Sequence, residues 1–379
     1  MSLTNFFIVD STLREGEQCP RVNFSTEQKI EIAYSLAEFG VEFIELTSPV
    51  ASPRSRQDCL KISSLGLPCK IVTHIRCHSE DAQIAIDSGV NGINIAIGTS
   101  RLLREHGHGK NINQIIDLAT EVITYIHSQN PNLIIRFSAE DSFRSSFQDL
   151  LSVFLPIQKL EMIHRIGIAD TVGIATPFQV YSLIKSLRQL VGSAMDIEFH
   201  GHNDTGCAVA NSHSALEAGA THIDTTILGI GERNGITSLA GFISRMYTIS
   251  YESVSRYNLK KLVPLHNLLS EMIGIPIPFN HCIVGESAFI HKAGIHSKAV
   301  LSNPQSYESI DPMVFGLDRQ IITNHRLTGW NAIADRANQL GLNLDVDEIR
   351  QLTLYIKQLA DQKLLTQNDV DQILLDASI

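Results

Sequence analysis

The segment Asp196-Ile197-Glu198-Phe199-His200-Gly201-His202-Asn203-Asp204 carries a strand pattern and a chemical pattern at once. Alternation along an extended chain puts Glu198, His200 and His202 on one face and Phe199 on the other. A strand with a polar inner face and an apolar outer one suits a barrel, with its functional groups near the C-terminal end. Working outward, short β-rich runs recur near 5–10, 41–47, 69–76, 92–98, 132–140, 162–170, 196–203 and 222–230. Helical stretches separate them. Eight such alternations within about 240 residues match an α/β fold, the (β/α)8 TIM barrel. The competing architecture is a doubly wound open sheet, but no GxGxxG follows the first strand.

Local signals agree with this reading. Ser25 with Gln28 forms a capping box ahead of Ile30, Ala33 and Leu36. Pro177 suits a first helical position behind Thr176. Ala208, Ala215, Leu216 and Ala218 populate a helix that ends at Gly219. After about residue 260 strands thin out, and helices are expected near 260–273, 328–340, 345–362 and 366–377. A Gly-, His- and Pro-rich linker spans Pro276 to Pro312. The expected organisation is a barrel over 1–260 and a linker plus small helical region over 261–379.

Composition narrows the function. The chain has 379 residues, 44% apolar and 18% charged, with a formal net charge of −10 and no long Lys/Arg run. That argues against nucleic acid, which needs a basic footprint. No stretch approaches the roughly 20 apolar residues of a membrane span. The apolar run Phe6-Phe7-Ile8-Val9 lacks a basic flank and is too short for a signal peptide. Cys19, Cys59, Cys69, Cys77, Cys207 and Cys282 show no CxxC spacing, so reduced thiols and a cytoplasmic location are expected.

Two inward imidazoles, His200 and His202, form half of a metal site, although hydrogen-bonded interior histidines are the alternative. An acid from the end of the first strand, Glu15, completes a two-His, one-carboxylate face with open positions. Such a face chelates a 2-oxo acid and polarises its carbonyl, and Arg14 would stabilise the developing alkoxide. A plain Arg14–Glu15 surface ion pair remains open. On the fifth strand Arg136, Ser138 and Glu140 share the inward face. Arg136 requires an anionic partner: either a substrate carboxylate or a structural pairing with Glu45 or Glu198. His74 and Thr171 point donors to the same mouth.

Across the chain, DSTLREGEQ (10–18), THI (73–75), RFSAED (136–141), ADTVGIATP (169–177), EFHGHNDTGCA (198–208), TTILGIGERNGIT (225–237), HKAGIHSKA (291–299), NPQSYE (303–308) and RLTGWNAI (326–333) resemble the homocitrate synthase branch of the DRE-TIM metallolyases. Glu15, GERNGI and the lack of a long C-terminal extension separate it from the isopropylmalate enzymes. The resemblance implies an acyltransferase of lysine biosynthesis that condenses acetyl-CoA with 2-oxoglutarate. It further implies one divalent ion (Mg, Mn or Zn) on Glu15, His200 and His202. Arg14, His74, Arg136 and Thr171 would contact 2-oxoglutarate, with Ser138 close by. His296 would act as base with Glu140, near Tyr307, in a homodimer whose C-terminal segments cross to the partner's barrel. Lysine-pathway members are inhibited by lysine, whose ammonium faces acids at the mouth. Asn94 stands where one such acid is usual, and Glu198 remains as another. The alternatives are a sister synthase using another 2-oxo acid, a metal-dependent lyase, or a non-catalytic metabolite-binding barrel.

Overall fold

The structure is a computed structural model that describes residues 3–378; Met1, Ser2 and Ile379, at the ends of the two expected regions, lie outside the described residues. The chain forms two compact units, one up to Ile277 and one from Pro278 onward. Helix Leu262–Ile273, expected with the C-terminal region, packs instead against helix Thr26–Phe39 of the first unit.

Among the described residues, eight parallel strands close into a barrel in sequence order. They are β1 Phe7–Asp10, β2 Phe43–Leu46, β3 Lys70–Arg76, β4 Gly92–Gly98, β5 Ile134–Glu140, β6 Arg165–Asp170, β7 Asp196–Gly201 and β8 His222–Thr225. β8 returns to β1, with Phe7 beside His222 and Asp10 beside Thr225. Strand alternation then separates two environments. Ile135, Phe137, Ile166, Ile168, Ile197 and Phe199 are fully buried outward, and Phe137 meets Phe154 of helix Phe147–Gln158 edge-on at 6.3 Å. Each such side chain contributes about 1.5–3 kcal/mol when removed from water. The opposite faces carry Asn94, Arg136, Ser138, Glu198 and His200 into the barrel, all at most 8% exposed.

Caps fix where the connecting helices begin. Ser25 accepts from Gln28 N in a complete capping box, and Thr176 does the same with Gln179 ahead of Pro177. Helix Ala208–Ala218 stops at Gly219, whose φ of 110° only glycine adopts without strain.

In the second unit, Trp330–Gln339, Val346–Gln362 and Gln367–Ala377 pack around Ile333, Ile349, Ile356, Leu365, Val370 and Leu374. Arg336 clamps Asp371 with two hydrogen bonds, 2.7 and 2.6 Å. The stretch expected as a linker contains helix Gly294–Ser302 and a two-residue strand, Ile290–His291, paired with Gln320–Ile321. That helix has no side-chain N-cap and starts on a glycine, so its sequence carries none of the usual start signals.

Candidate active site

The mouth of the barrel is assembled by a tight turn after β1. The Ser11 carbonyl accepts from the amides of Arg14, Glu15 and Gly16 at 3.0, 2.7 and 3.1 Å. Its hydroxyl donates to Glu45 Oε2 at 2.6 Å. The turn is tied down by Asp10, whose Oδ1 accepts from Thr12 N at 3.0 Å. Burial pushes the Asp10 carboxyl up to about 7 against those hydrogen bonds.

Arg14 is thereby fixed between two acids. Its Nη1 meets Glu15 Oε2 at 2.6 Å and its Nε meets Glu45 Oε2 at 2.7 Å. Burial works against the charged guanidinium, but Glu45 and then Glu15 more than offset it and hold its pKa above the ordinary value. Burial likewise opposes the Glu15 carboxylate, yet Arg14 and the imidazoles of His200 and His202 hold its pKa below the usual range. Gly231 makes room for this acid: a Cβ there would sit 2.9 Å from Glu15 Oε1. The Glu232 amide donates to the same oxygen at 2.9 Å.

His200 and His202 meet Glu15 as the sequence predicts. All three are buried, and one ligand atom from each lies within 4.8 Å of the others. His200 donates from Nδ1 to Asp224 Oδ2 at 2.8 Å, which leaves its Nε2 lone pair for a ligand. His202 Nδ1 is buried with no hydrogen-bond partner among the described residues. Burial, and then the neighbouring His200, pull the His202 pKa down to about 4. A neutral His202 imidazole beside an ionised Glu15 carboxylate is the pairing of protonation states that metal binding requires. The residues present therefore fit a divalent cation. Asn234, in the loop after β8, turns away and donates to Asp204 Oδ1 at 3.4 Å.

A cavity of about 160 Å³ opens over this cluster, lined by Arg14, Glu15, His74, Arg136, Ser138, Glu140, Thr171, His200 and His202 among others. The barrel thus brings together nine of the site residues named from the sequence. Thr171 Oγ1 accepts from Asp141 N at 2.8 Å. Gly167 on β6 keeps the floor open, since a Cβ there would lie 2.6 Å from Ser138 Oγ and 3.1 Å from Arg136 Nε.

Two expectations change. Arg136 is paired within the barrel: its Nη1 contacts Glu198 and lies 3.6 Å from Asp224 Oδ2. Of the two pairings left open by the sequence, the Glu198 contact is the one present. Glu198 also faces Arg165 Nη1 at 3.3 Å, and the Arg165 guanidinium stacks over Phe43 at 4.4 Å. Asn94 and Glu198, expected at the mouth, do not line it and are at most 1% exposed. Asn94 donates from Nδ2 to Glu45 Oε1 at 2.5 Å, so it serves the network behind Arg14.

His296 and Tyr307 lie in the second unit, with ring centroids 4.3 Å apart. Both are exposed. Asp224 was not anticipated, although alternation along His222-Ile223-Asp224-Thr225 points it inward beside His222.

The comparisons with known proteins fall on both units. The chain matches the HMGL-like family over residues 5–269 and the homocitrate synthase post-HMGL domain-like family over residues 283–364. It is 54% identical over 373 residues to the mitochondrial homocitrate synthase of Schizosaccharomyces pombe, covering 98% of this chain and 88% of that one. It is 52% identical over 374 residues to the cytosolic homocitrate synthase isozyme of Saccharomyces cerevisiae, covering 98% and 86% respectively. The hydroxymethylglutaryl-CoA lyase of Pseudomonas aeruginosa shares the fold at 16% identity, with a TM-score of 0.64 over 79% of this chain and 98% of that one.

Proposed function

Since the chain belongs to the homocitrate synthase family within the HMGL-like group, we propose that its barrel mouth joins the methyl carbon of acetyl-CoA to the keto carbon of 2-oxoglutarate. Homocitrate and CoA are the products, and lysine biosynthesis is the context that fits. The observation that carries this reading is the Glu15–His200–His202 cluster with Arg14 and Arg136 lining the same 160 Å³ cavity.

Glu15, His200 and His202 would hold one divalent cation, and their mixed nitrogen and oxygen donors suit Mn or Zn as well as Mg. When bound, such an ion supplies Lewis-acid polarisation of a keto oxygen. The protein's own groups do the rest. Arg14, immobilised by Glu45 and Glu15, offers N–H donors to the oxygen that gains negative charge as the carbon–carbon bond forms. His74, Ser138 and Thr171 orient the oxo acid at the rim. Arg136 supplies the positive charge for the distal carboxylate; its Nε has no partner among the described residues.

The acetyl methyl is a weak carbon acid and needs a positioned base. We assign that base to His296, assisted by Glu140, with Tyr307 stacked against the imidazole. In this reading His296 reaches the mouth from the partner's chain, so the active form is a homodimer with exchanged C-terminal segments. The proton moves from the methyl to the imidazole, the enolate carbon attacks the keto carbon, and the alkoxide is protonated. Water then cleaves the thioester and releases CoA.

Among the described residues no helix is long and apolar enough to cross a membrane. The six free cysteines suit a reducing compartment such as the cytoplasm. The test is release of CoA thiol with 2-oxoglutarate, set beside 2-oxoisovalerate, pyruvate and oxaloacetate.

A further inference from the structure

Arg165, the first residue of β6, is the largest fully buried side chain among the described residues. It does not line the catalytic cavity, and its Nε, Nη1 and Nη2 make no hydrogen bond among the described residues. A guanidinium buried in this way is costly, so its presence under the site calls for a physical reason.

Register supplies the setting. Pairing of β5 with β6 puts Arg136 beside Arg165, two like charges in one buried layer. Glu198 on β7, opposite Gly167 on one side and His222 on the other, is the acid between them. Arg136 Nη1 contacts its Oε1, and Arg165 Nη1 lies 3.3 Å from its Oε2, one oxygen for each cation. The neighbouring acids have partners of their own: Asp224 is bonded to His200 at 2.8 Å and Glu45 to Arg14 at 2.7 Å. His222 adds no charge, since burial, then Arg165 and Arg136, pull its pKa down to about 2. The Phe43 ring, 4.4 Å from the Arg165 guanidinium, holds that cation at the N-terminal end of the barrel. One pleat higher on β6, Gly167 leaves bare backbone under Arg136, whose Nε would lie 3.1 Å from any Cβ there. The Arg136 guanidinium thus has room to turn upward, whereas Arg165 is fixed.

We propose that Arg165 is a positioning residue for substrate selection: by holding Glu198 from beneath, it frees Arg136 to take the distal carboxylate of a dicarboxylic oxo acid. The inference rests on the assignment of Arg136 to that carboxylate above, and it adds the group that lets an already paired arginine act. In the free site one acid serves two arginines. With a dicarboxylate bound, two carboxylates face two arginines, one for each. Without Arg165, turning Arg136 to the substrate would strip a fully buried Glu198 of its cation, and a lone buried charge is strongly penalised. An oxo acid with a single carboxylate makes no demand on Arg136 and gains nothing from Arg165. The same arrangement therefore favours dicarboxylates through a residue that never touches them.

Calorimetric binding of 2-oxoglutarate and of pyruvate to the metal-loaded protein tests this without turnover, and initial rates test it with turnover. Arg165→Met, which keeps the length but not the charge, should weaken 2-oxoglutarate binding and raise its KM about tenfold or more. The kcat at saturation and the KM for acetyl-CoA should stay as they are, and pyruvate binding should not move. Arg165→Lys should lose less, in the same direction. In a Glu198→Gln background no acid needs a second cation, so both Arg165 substitutions should lose their effect. That background also neutralises the pair as a whole, which keeps the comparison open if Arg165→Met alone does not fold. A loss that persists undiminished there, an equal loss for pyruvate, or unchanged 2-oxoglutarate affinity in both Arg165 variants overturns the inference. If the wild type binds 2-oxoglutarate in an Arg165-dependent way but releases no CoA, the reaction is wrong and this role stands. If it binds neither acid, both fall.

Discussion

His200 donates from Nδ1 to Asp224 Oδ2 at 2.8 Å, and the same carboxylate oxygen lies 3.6 Å from Nη1 of Arg136. One acid on β8 thus joins a histidine of the candidate metal cluster to the arginine on the cavity floor. It fixes the histidine tautomer and makes Nε2 the better donor to a cation. Asp224→Asn keeps the size but weakens this hold, so affinity for a divalent ion should fall about 10–100-fold. Calorimetric titration of metal into the stripped protein measures this without recourse to turnover. Unchanged affinity would mean that Asp224 serves the arginine alone.

Among the described residues no outer carboxylate hydrogen-bonds the His202 ring, so in the proposed site it would meet the cation unaided. His202→Ala should abolish turnover and lower bound metal after dialysis. The barrel should survive, because the removed ring makes no hydrogen bond among the described residues through Nδ1. Near-normal activity in metal-buffered solution, together with intact folding by circular dichroism, would remove His202 from the ligand set.

Arg136 pairs with Glu198 and is proposed to meet the distal carboxylate of the substrate, and one substitution should expose both. Arg136→Leu strands Glu198 with Arg165 alone at 3.3 Å, and breaking a buried pair in this way costs about 3–5 kcal/mol. The melting temperature should drop and 2-oxoglutarate turnover should fall steeply, with some activity retained on apolar oxo acids. Arg136→Lys keeps the charge but not the fork, and should recover more stability than turnover. Equal recovery of both would make Arg136 a purely structural cation.

Asn94 is a donor to Glu45, and exchanging it for an acid tests that directly. Asn94→Asp removes the 2.5 Å hydrogen bond and sets two buried carboxyls face to face. The introduced carboxyl must have a raised folded pKa. Below its unfolded value of about 3.9 it is neutral in both states and adds no charge repulsion. As pH rises through and above that value the unfolded state ionises first, and the penalty grows. Asn94→Asp should therefore be destabilised by about 1–3 kcal/mol near neutral pH and by less near pH 5. Lysine inhibition, if Asn94 faced the mouth, should instead tighten in this variant. Its melting curves at the two pH values and its lysine inhibition distinguish these outcomes.

Much of this was readable from residues alone, for identifiable reasons. Each barrel strand is a short β-rich run between capped helices, so all eight expected strands appear, and the ends alone are trimmed. The last one, expected over 222–230, stops at Thr225 because the chain turns at Leu228 with a φ of 60°. Alternation correctly sent Arg136, Ser138, Glu198, His200 and His202 inward. What alternation lacks is depth, since it fixes the face of a side chain and not its height in the barrel. Asn94 and Glu198 were therefore expected at the mouth and instead lie beneath it. Partners from other strands are equally hidden: the match of Arg136 with Arg165 across β5 and β6 depends on register that no single strand records. The helix at Gly294–Ser302 reads as linker in the sequence because it starts on a glycine without a side-chain cap.

The central claim is that this mouth selects 2-oxoglutarate as the acceptor for an acetyl-CoA carbon nucleophile. Its most direct measurement is the rate of CoA thiol release by the metal-loaded protein with 2-oxoglutarate, 2-oxoisovalerate, pyruvate and oxaloacetate, each at matched concentration. Arg136 and the donors around it predict 2-oxoglutarate as the preferred substrate, by at least about tenfold in kcat/KM, the equivalent of one charge-assisted hydrogen bond. Faster release with an oxo acid that lacks the distal carboxylate, or no release with any of the four, would contradict the account.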